Sequence, residues 1–238
     1  ETPNGPFSSS LPEPLFTTPD AIARVWRGAD RYRKYSLSAA GSSDLNGRPL
    51  TYFWRLLRGD PAKVKIERVT PDASEVSVTI EWQEGMLTPN GIPSSRVDIA
   101  LFAYNGAEYS APAFFSLTLP LHQKRVYSDD PSDARPLSIS YIRKDGDRSY
   151  ADPVIWPVQD WDDVYLYDDK GRLLGWNRSY GDGDSARFTQ HGLKATEMDA
   201  LGRPVRAALI SYQMIADQKG RKILTEAMVD RTFTYSYA

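Results

Sequence analysis

The sequence contains no cysteine. Thiol catalysis, disulfide bridges and zinc sites built on thiolates are therefore excluded. Histidine is nearly absent as well: His122 and His191 are the only two, and no short-spaced ligand motif surrounds either. A Ser–His hydrolase or a histidine metal centre has little to draw on. No Gly-x-Ser-x-Gly elbow, phosphate-cradling loop or dinucleotide fingerprint occurs. No apolar run approaches the ~20 residues that a helix needs to cross a bilayer. Nor is there an excess of one charge, since 29 basic residues face 31 acidic ones for a formal net charge of −2. Nothing in that balance draws the chain onto nucleic acid or into a membrane.

What is present is a chain of 238 residues with 41% apolar and 12% aromatic side chains, enough to bury a core. That length suits one large domain or two ordinary ones. Residues 1–19 hold five of the 17 prolines and read as a linker or lead-in strand. The start at Glu1, followed by Thr-Pro-Asn-Gly-Pro, reads as that of a trimmed precursor or of a cut from a longer polypeptide. Residues 20–25 fit a short helix behind Thr18-Pro19 or a strand. Beyond them, alternation with period two dominates. Tyr35, Leu37 and Ala39 share one face of a run, and Tyr52, Trp54 and Leu56 share another. Val76, Val78, Ile80 and Trp82 alternate with Ser77, Thr79 and Glu81, the pattern of a half-buried strand. Val97 to Ala103 leads into Asn105-Gly106, a strong hairpin signal, and Tyr109 to Leu119 returns.

Short strands separated by turns predict an all-β protein: an immunoglobulin-like β-sandwich over residues 20–120, then a second antiparallel β-domain over 137–238. The acidic, proline-bounded stretch 121–136 is the expected inter-domain linker. Strands are expected at 137–142, 164–167, 173–176, 205–214, 223–229 and 233–237, with a short helix as the alternative over 222–228. One local pattern recurs in this half. Asp168-Asp-Lys-Gly171-Arg172, Asp199-Ala-Leu-Gly202-Arg203 and Asp217-Gln-Lys-Gly220-Arg221 all read Asp, two residues, Gly, Arg. Asp starts a turn through its side chain and Gly takes the left-handed position that closes it. The spacings of 31 and 18 residues point to shared turn chemistry rather than a fixed repeat.

The run Leu37-Ser-Ala-Ala-Gly41-Ser-Ser-Asp44-Leu-Asn-Gly47-Arg48-Pro-Leu-Thr-Tyr52-Phe-Trp54 resembles the signature of PKD-type immunoglobulin-like domains. The resemblance covers about residues 20–119. It implies a polar loop between two strands, Trp54 as a large inward-facing core residue, and a role as an accessory part of a larger extracellular protein. Arg48 stands where that family often has an acid, so a tight calcium site at Asp44 is not expected. Tyr167 to Leu174 and Asp199 to Val205 look like the tyrosine–aspartate hairpins of RHS-type proteins; only the hairpin geometry carries over.

Chemistry-bearing residues gather in the second half, where Trp156, Trp161, Tyr165, Tyr167, Trp176 and Tyr180 lie among Asp160, Asp162, Asp163, Asp168 and Asp169. Asp182 and Asp184 flank Gly183 nearby. Three uses compete with plain structural roles. Ring faces beside carboxylates suit sugars, paired acids suit glycoside cleavage, and oxygen-rich loops suit calcium. If this region binds a ligand, the expected surface is Trp156, Trp161 and Trp176 with Asp162, Asp163 and Asp182, and the ligand a neutral glycan. No catalytic residue is assigned and no cofactor is expected, calcium in the second domain being the alternative. The expected function is a non-catalytic accessory or spacer module of a larger secreted, cell-surface or periplasmic bacterial protein. Its partners would be the other domains of that polypeptide. A carbohydrate-binding module and a glycan hydrolase are the alternatives.

Overall fold

In the computed structural model the described residues are 13–87, 90–91, 93–120, 123–130, 132–141, 161–216, 218 and 222–236. They form strands and turns, with no helix among them. The chain divides into two compact units, Pro12–Trp26 with Asp30–Leu121, and His122–Ala238 with Arg27–Ala29.

The first unit contains β1 (Pro14–Thr17), β2 (Ala21–Val25), β3 (Tyr32–Ser38), β4 (Thr51–Arg58), β5 (Val64–Arg68), β6 (Glu75–Glu81), β7 (Met86–Leu87), β8 (Pro93–Ser94), β9 (Arg96–Tyr104) and β10 (Ala113–Thr118). One sheet has the order β1-β2-β10-β9-β4 and the other β3-β6-β5, with β7 and β8 paired apart. Strand β2 runs parallel to β10, whereas the other pairings are antiparallel. The chain changes sheet at β2–β3, β3–β4 and β4–β5 and returns from β6 to β9, which is immunoglobulin-like connectivity. Alternation decides what fills the space between the sheets. Val76, Val78 and Ile80 point inward from β6, Val97 and Ile99 from β9, and Phe115 and Leu117 from β10, all buried. Tyr35 meets Phe115 across the gap at 4.9 Å between ring centroids.

Two features fall on the strand side of alternatives that the sequence left open, and two differ from its reading. Pro14–Thr17, within the stretch read as a linker or lead-in strand, forms β1 against β2. Residues 21–25 are strand rather than helix. β5, an edge strand reading Val-Lys-Ile-Glu-Arg, escaped notice because only two of its residues are apolar. Trp54 is half-buried rather than central, because β4 is the last strand of its sheet. Its indole N–H donates to the Ala73 carbonyl at 2.9 Å. The large buried indoles of this unit are Trp26 and Trp82, edge to face at 5.8 Å.

The described residues of the second unit form a single antiparallel sheet in which every strand pairs with its neighbour in sequence: β11 (Gln123–Tyr127), β12 (Pro136–Tyr141), β13 (Trp161–Tyr167), β14 (Leu173–Tyr180), β15 (Ser185–Thr189), β16 (Lys194–Met198), β17 (Pro204–Ala216) and β18 (Lys222–Thr234). Residues 123–127, expected in the linker, are thus a strand paired with β12. Residues 222–234 form one long strand, which joins the expected strand at 223–229 to the start of the one at 233–237 and leaves no helix at 222–228.

The turns explain the regularity. At 168–172 the Asp168 carboxylate accepts the backbone N–H of Lys170 and Arg172, at 3.0 and 2.8 Å, and the Arg172 side chain at 2.6 Å. Gly171 closes the turn at φ 75°. Asp199–Arg203 reproduces the arrangement with corresponding distances of 2.9, 2.8 and 2.7 Å and Gly202 at φ 73°. The two turns between them have the same backbone pattern. Tyr180 N–H donates to Asp184 O with Gly183 at φ 94°, and Thr189 N–H donates to Leu193 O with Gly192 at φ 78°. This is the three-residue hairpin loop in which a glycine supplies the left-handed bulge. The turns therefore begin at 168, 180, 189 and 199, a much closer recurrence than the Asp-x-x-Gly-Arg motif alone suggested. The turn expected at Asp217 lies outside the described residues. In the first unit, Asp44-Leu-Asn-Gly47-Arg48 uses the same capping: Asp44 accepts from the N–H of Asn46 and Arg48, with Gly47 at φ 70°.

Candidate functional site

The inner face of the second unit's sheet carries a buried ion-pair network. Asp163 on β13 and Arg178 on β14 are direct cross-strand partners. Arg178 Nε donates to Asp163 Oδ1 at 2.7 Å and Nη2 to Oδ2 at 2.6 Å, a bidentate fork with both side chains almost fully buried. A second cross-strand pair, Tyr212 on β17 and Glu226 on β18, lies against the first. Arg178 Nη1 donates to the Tyr212 hydroxyl at 3.3 Å and to Glu226 Oε1. The Tyr180 hydroxyl and Lys194 Nζ also donate to Glu226 Oε2, at 2.8 and 3.2 Å.

Four strand steps separate β14 from β18, which would be about 19 Å in a flat sheet. A 2.8 Å hydrogen bond between Tyr180 and Glu226 thus requires the sheet to curl until its far end covers β13 and β14. The space between is filled by aromatic side chains. The Arg178 guanidinium lies 3.9 Å from the Trp161 ring centroid and 4.9 Å from that of Phe188. Trp176 stacks on Phe188 at 5.1 Å with a 3° interplanar angle. Tyr212 packs with both the Trp161 and the Trp176 clusters.

Burial sets the electrostatics. It pushes the Asp163 carboxyl up, and the Arg178 hydrogen bonds and charge pull it back. Arg178, although burial opposes its charge, is held well above its ordinary value by the Asp163 hydrogen bonds and charge. The short bidentate geometry fits the ionised pair. Two acids and two bases, Asp163 and Glu226 with Arg178 and Lys194, balance locally. Burial also raises Tyr141, Tyr165, Tyr180 and Tyr212 above the ordinary phenol value, so these hydroxyls stay protonated at neutral pH.

The expected ligand surface is not assembled as the sequence suggested. Trp161 and Trp176 are each 2% exposed and offer no ring face to a sugar. Asp163 points inward with them, while Asp162, one residue before, is on the opposite, exposed face. Strand alternation separates what sequence density had grouped. Asp182 is exposed at the 180–184 turn, where it accepts the Asp184 N–H at 3.1 Å. Trp156 and Asp160 lie outside the described residues, as does His122. His191 is exposed beside Gln190 at another turn. Among the described residues no group of three or more His, Asp or Glu converges on a metal position.

Arg178, Tyr212, Lys194 and Glu226 were missed by sequence reasoning. The one local signal was an arginine at an inward position of an otherwise apolar alternation with Trp176. Comparison of the sequence with protein-family models gives no match, and comparison with curated proteins gives none either.

Proposed function

We propose that the chain is a non-catalytic accessory module, a spacer and interaction part of a larger secreted or cell-surface bacterial polypeptide. The observation that carries this reading is how its reactive groups are used. Both oxygens of Asp163 are taken by Arg178, and Asp168 and Asp199 are occupied within their own turns. The two indoles nearest the acids are packed inside. An acid–base pair for glycoside cleavage needs two carboxyls open to a substrate; Asp163 and Glu226 instead share one buried arginine. A carboxylate so committed holds strands together.

Two measurements test the reading. The purified chain, incubated with a panel of neutral and acidic polysaccharides, is expected to release no reducing ends. Antibodies raised against it should detect, in the culture medium or at the cell surface, a polypeptide much larger than 238 residues. Sustained hydrolysis abolished by Asp163→Asn with unchanged circular dichroism would overturn the non-catalytic assignment. Detection only in the cytosol would overturn the secreted one.

A further inference from the structure

The first unit bears a cluster of aromatic side chains on the side of its sheet that faces away from the core. On β4, Tyr52, Trp54 and Leu56 point toward the core, so Phe53 and Arg55 point outward. On β9 the same alternation turns Tyr104 outward, opposite Thr51. Tyr109, across the hairpin loop, bridges back to Tyr104. The rings meet there: Tyr104 and Tyr109 at 4.6 Å and 34°, Phe53 and Tyr109 at 5.7 Å and 62°. Tyr109 is 60% exposed. The Arg55 guanidinium lies 5.9 Å from the Phe53 ring centroid and borders the group.

The cluster is held rigidly. Asn105 accepts the N–H of Ala107 and Glu108 through its side-chain oxygen, at 3.0 and 2.9 Å, which fixes the hairpin loop. Its side-chain nitrogen donates to Asp44 Oδ2 at 2.8 Å, tying that loop to the one joining β3 and β4. Asp168 and Asp199 each use their second oxygen to hold an arginine of the same turn, whereas Asp44 uses its own to hold the neighbouring loop.

We infer that Tyr109, Tyr104 and Phe53 form a binding face for a neutral polysaccharide, with Tyr109 the principal contact. Sugar rings present an apolar face to an aromatic ring and hydroxyls to its polar surroundings, which in this cluster include two phenol groups and Arg55. The charge placed against these rings is the single Arg55 guanidinium, whereas a polyanion draws its binding from several cations at once. Size argues against a protein partner. Fully buried aromatic side chains account for about 150–250 Å² each, and three partly exposed ones offer well under the ~800 Å² per side of a stable protein interface. The inference rests on reading the chain as an interaction module and names what this unit would hold.

The test is affinity electrophoresis of the full chain through gels containing hydroxyethylcellulose, xylan, galactomannan or soluble starch, with a heparin gel as the acidic control. At least one neutral gel is expected to retard the chain, equally at about 0.05 and 0.5 M salt. Tyr109→Ala should weaken that retardation by about tenfold or more, the loss typical of truncating a central tyrosine. Tyr109→Phe, which keeps the ring, should retain most of it. Unchanged thermal midpoints show that both variants fold. No retardation by any neutral gel, retardation by heparin alone, or retardation indifferent to Tyr109→Ala would each overturn the assignment. Those outcomes leave the accessory reading standing, since that reading falls by turnover or by cytosolic location.

Discussion

Gly175 lies within β14 at φ 132°, opposite Thr189 of β15. A Cβ built there would stand 2.0 Å from the Phe188 carbonyl oxygen, a backbone atom that cannot swing aside. Gly175→Ala therefore combines a left-handed backbone that side chains resist with a collision against the adjacent strand. We expect a loss of roughly 2–4 kcal/mol, measured by urea unfolding. A neutral result would mean that β14 and β15 separate freely at that point. Arg178 poses a different problem, because its removal strands a carboxylate. Arg178→Met leaves Asp163 buried without its partner and should cost about 3–5 kcal/mol. The double change Asp163→Leu with Arg178→Met removes both charges at similar volume and should recover most of that loss. A double variant as unstable as the single one would show that Arg178 acts mainly through Glu226 and the Trp161 ring.

Among the elements, the hairpin turns contribute to the acid dependence of the second unit, beside Asp130 and Asp133, whose carboxyls are also lowered by hydrogen bonds to Ser132 and Arg135. Backbone N–H groups of Arg172 and Arg203, with the guanidinium side chains behind them, hold Asp168 and Asp199 below the ordinary carboxylate range. For a group whose folded pKa is depressed, the stabilisation is complete above the unfolded value and is lost as pH falls through the folded one. Thermal midpoints should thus stay level from neutral pH down to about pH 4 and fall below it. The double variant Asp168→Asn with Asp199→Asn keeps an acceptor oxygen but no charge, so it should start lower and fall less steeply. Parallel curves would assign the acid loss to other carboxylates. These turns also show where the sequence was readable. Asp-x-x-Gly-Arg announced two of them, because a side-chain acceptor at the first position leaves a recognisable residue. The turns begun by Tyr180 and Thr189 went unseen, since there only the glycine marks the spot. With them went β15 and β16, whose Ser-Ala-Arg-Phe-Thr and Lys-Ala-Thr-Glu-Met hold too few large apolar residues to display alternation. β6 was legible for the converse reason: its two faces differ in every residue. The site was less legible still. Asp163 and Arg178 are cross-strand neighbours 15 positions apart, but Glu226 lies 48 positions beyond Arg178 and reaches it only because the sheet curls. No local window contains that information.

At the scale of the whole molecule, each unit is built around its own buried tryptophans. Trp26 and Trp82 meet within the sandwich, whereas Trp161 packs with Ile139, Tyr141 and Ala29 in the second unit. The clusters differ in chemistry as well as place, since the second surrounds a charged guanidinium and is closed by the curl of one sheet. Truncating a large buried aromatic typically costs about 3–5 kcal/mol, which for a unit of this size is a fall of about 12 °C or more in its melting temperature. Trp82→Ala and Trp161→Ala should therefore each be severe, but in different parts of the chain. Hydrogen exchange followed by peptide mass spectrometry separates them, because protection in a strand reports the free energy of opening the unit that contains it. In Trp82→Ala, amides of β6 and β9 should exchange faster while those of β13 and β14 keep their protection. In Trp161→Ala the pattern should reverse. If either substitution accelerated exchange in all four strands alike, the two clusters would behave as one cooperative core. The chain would then have to be treated as a single folding domain, and an accessory role built from separable modules would lose its structural basis.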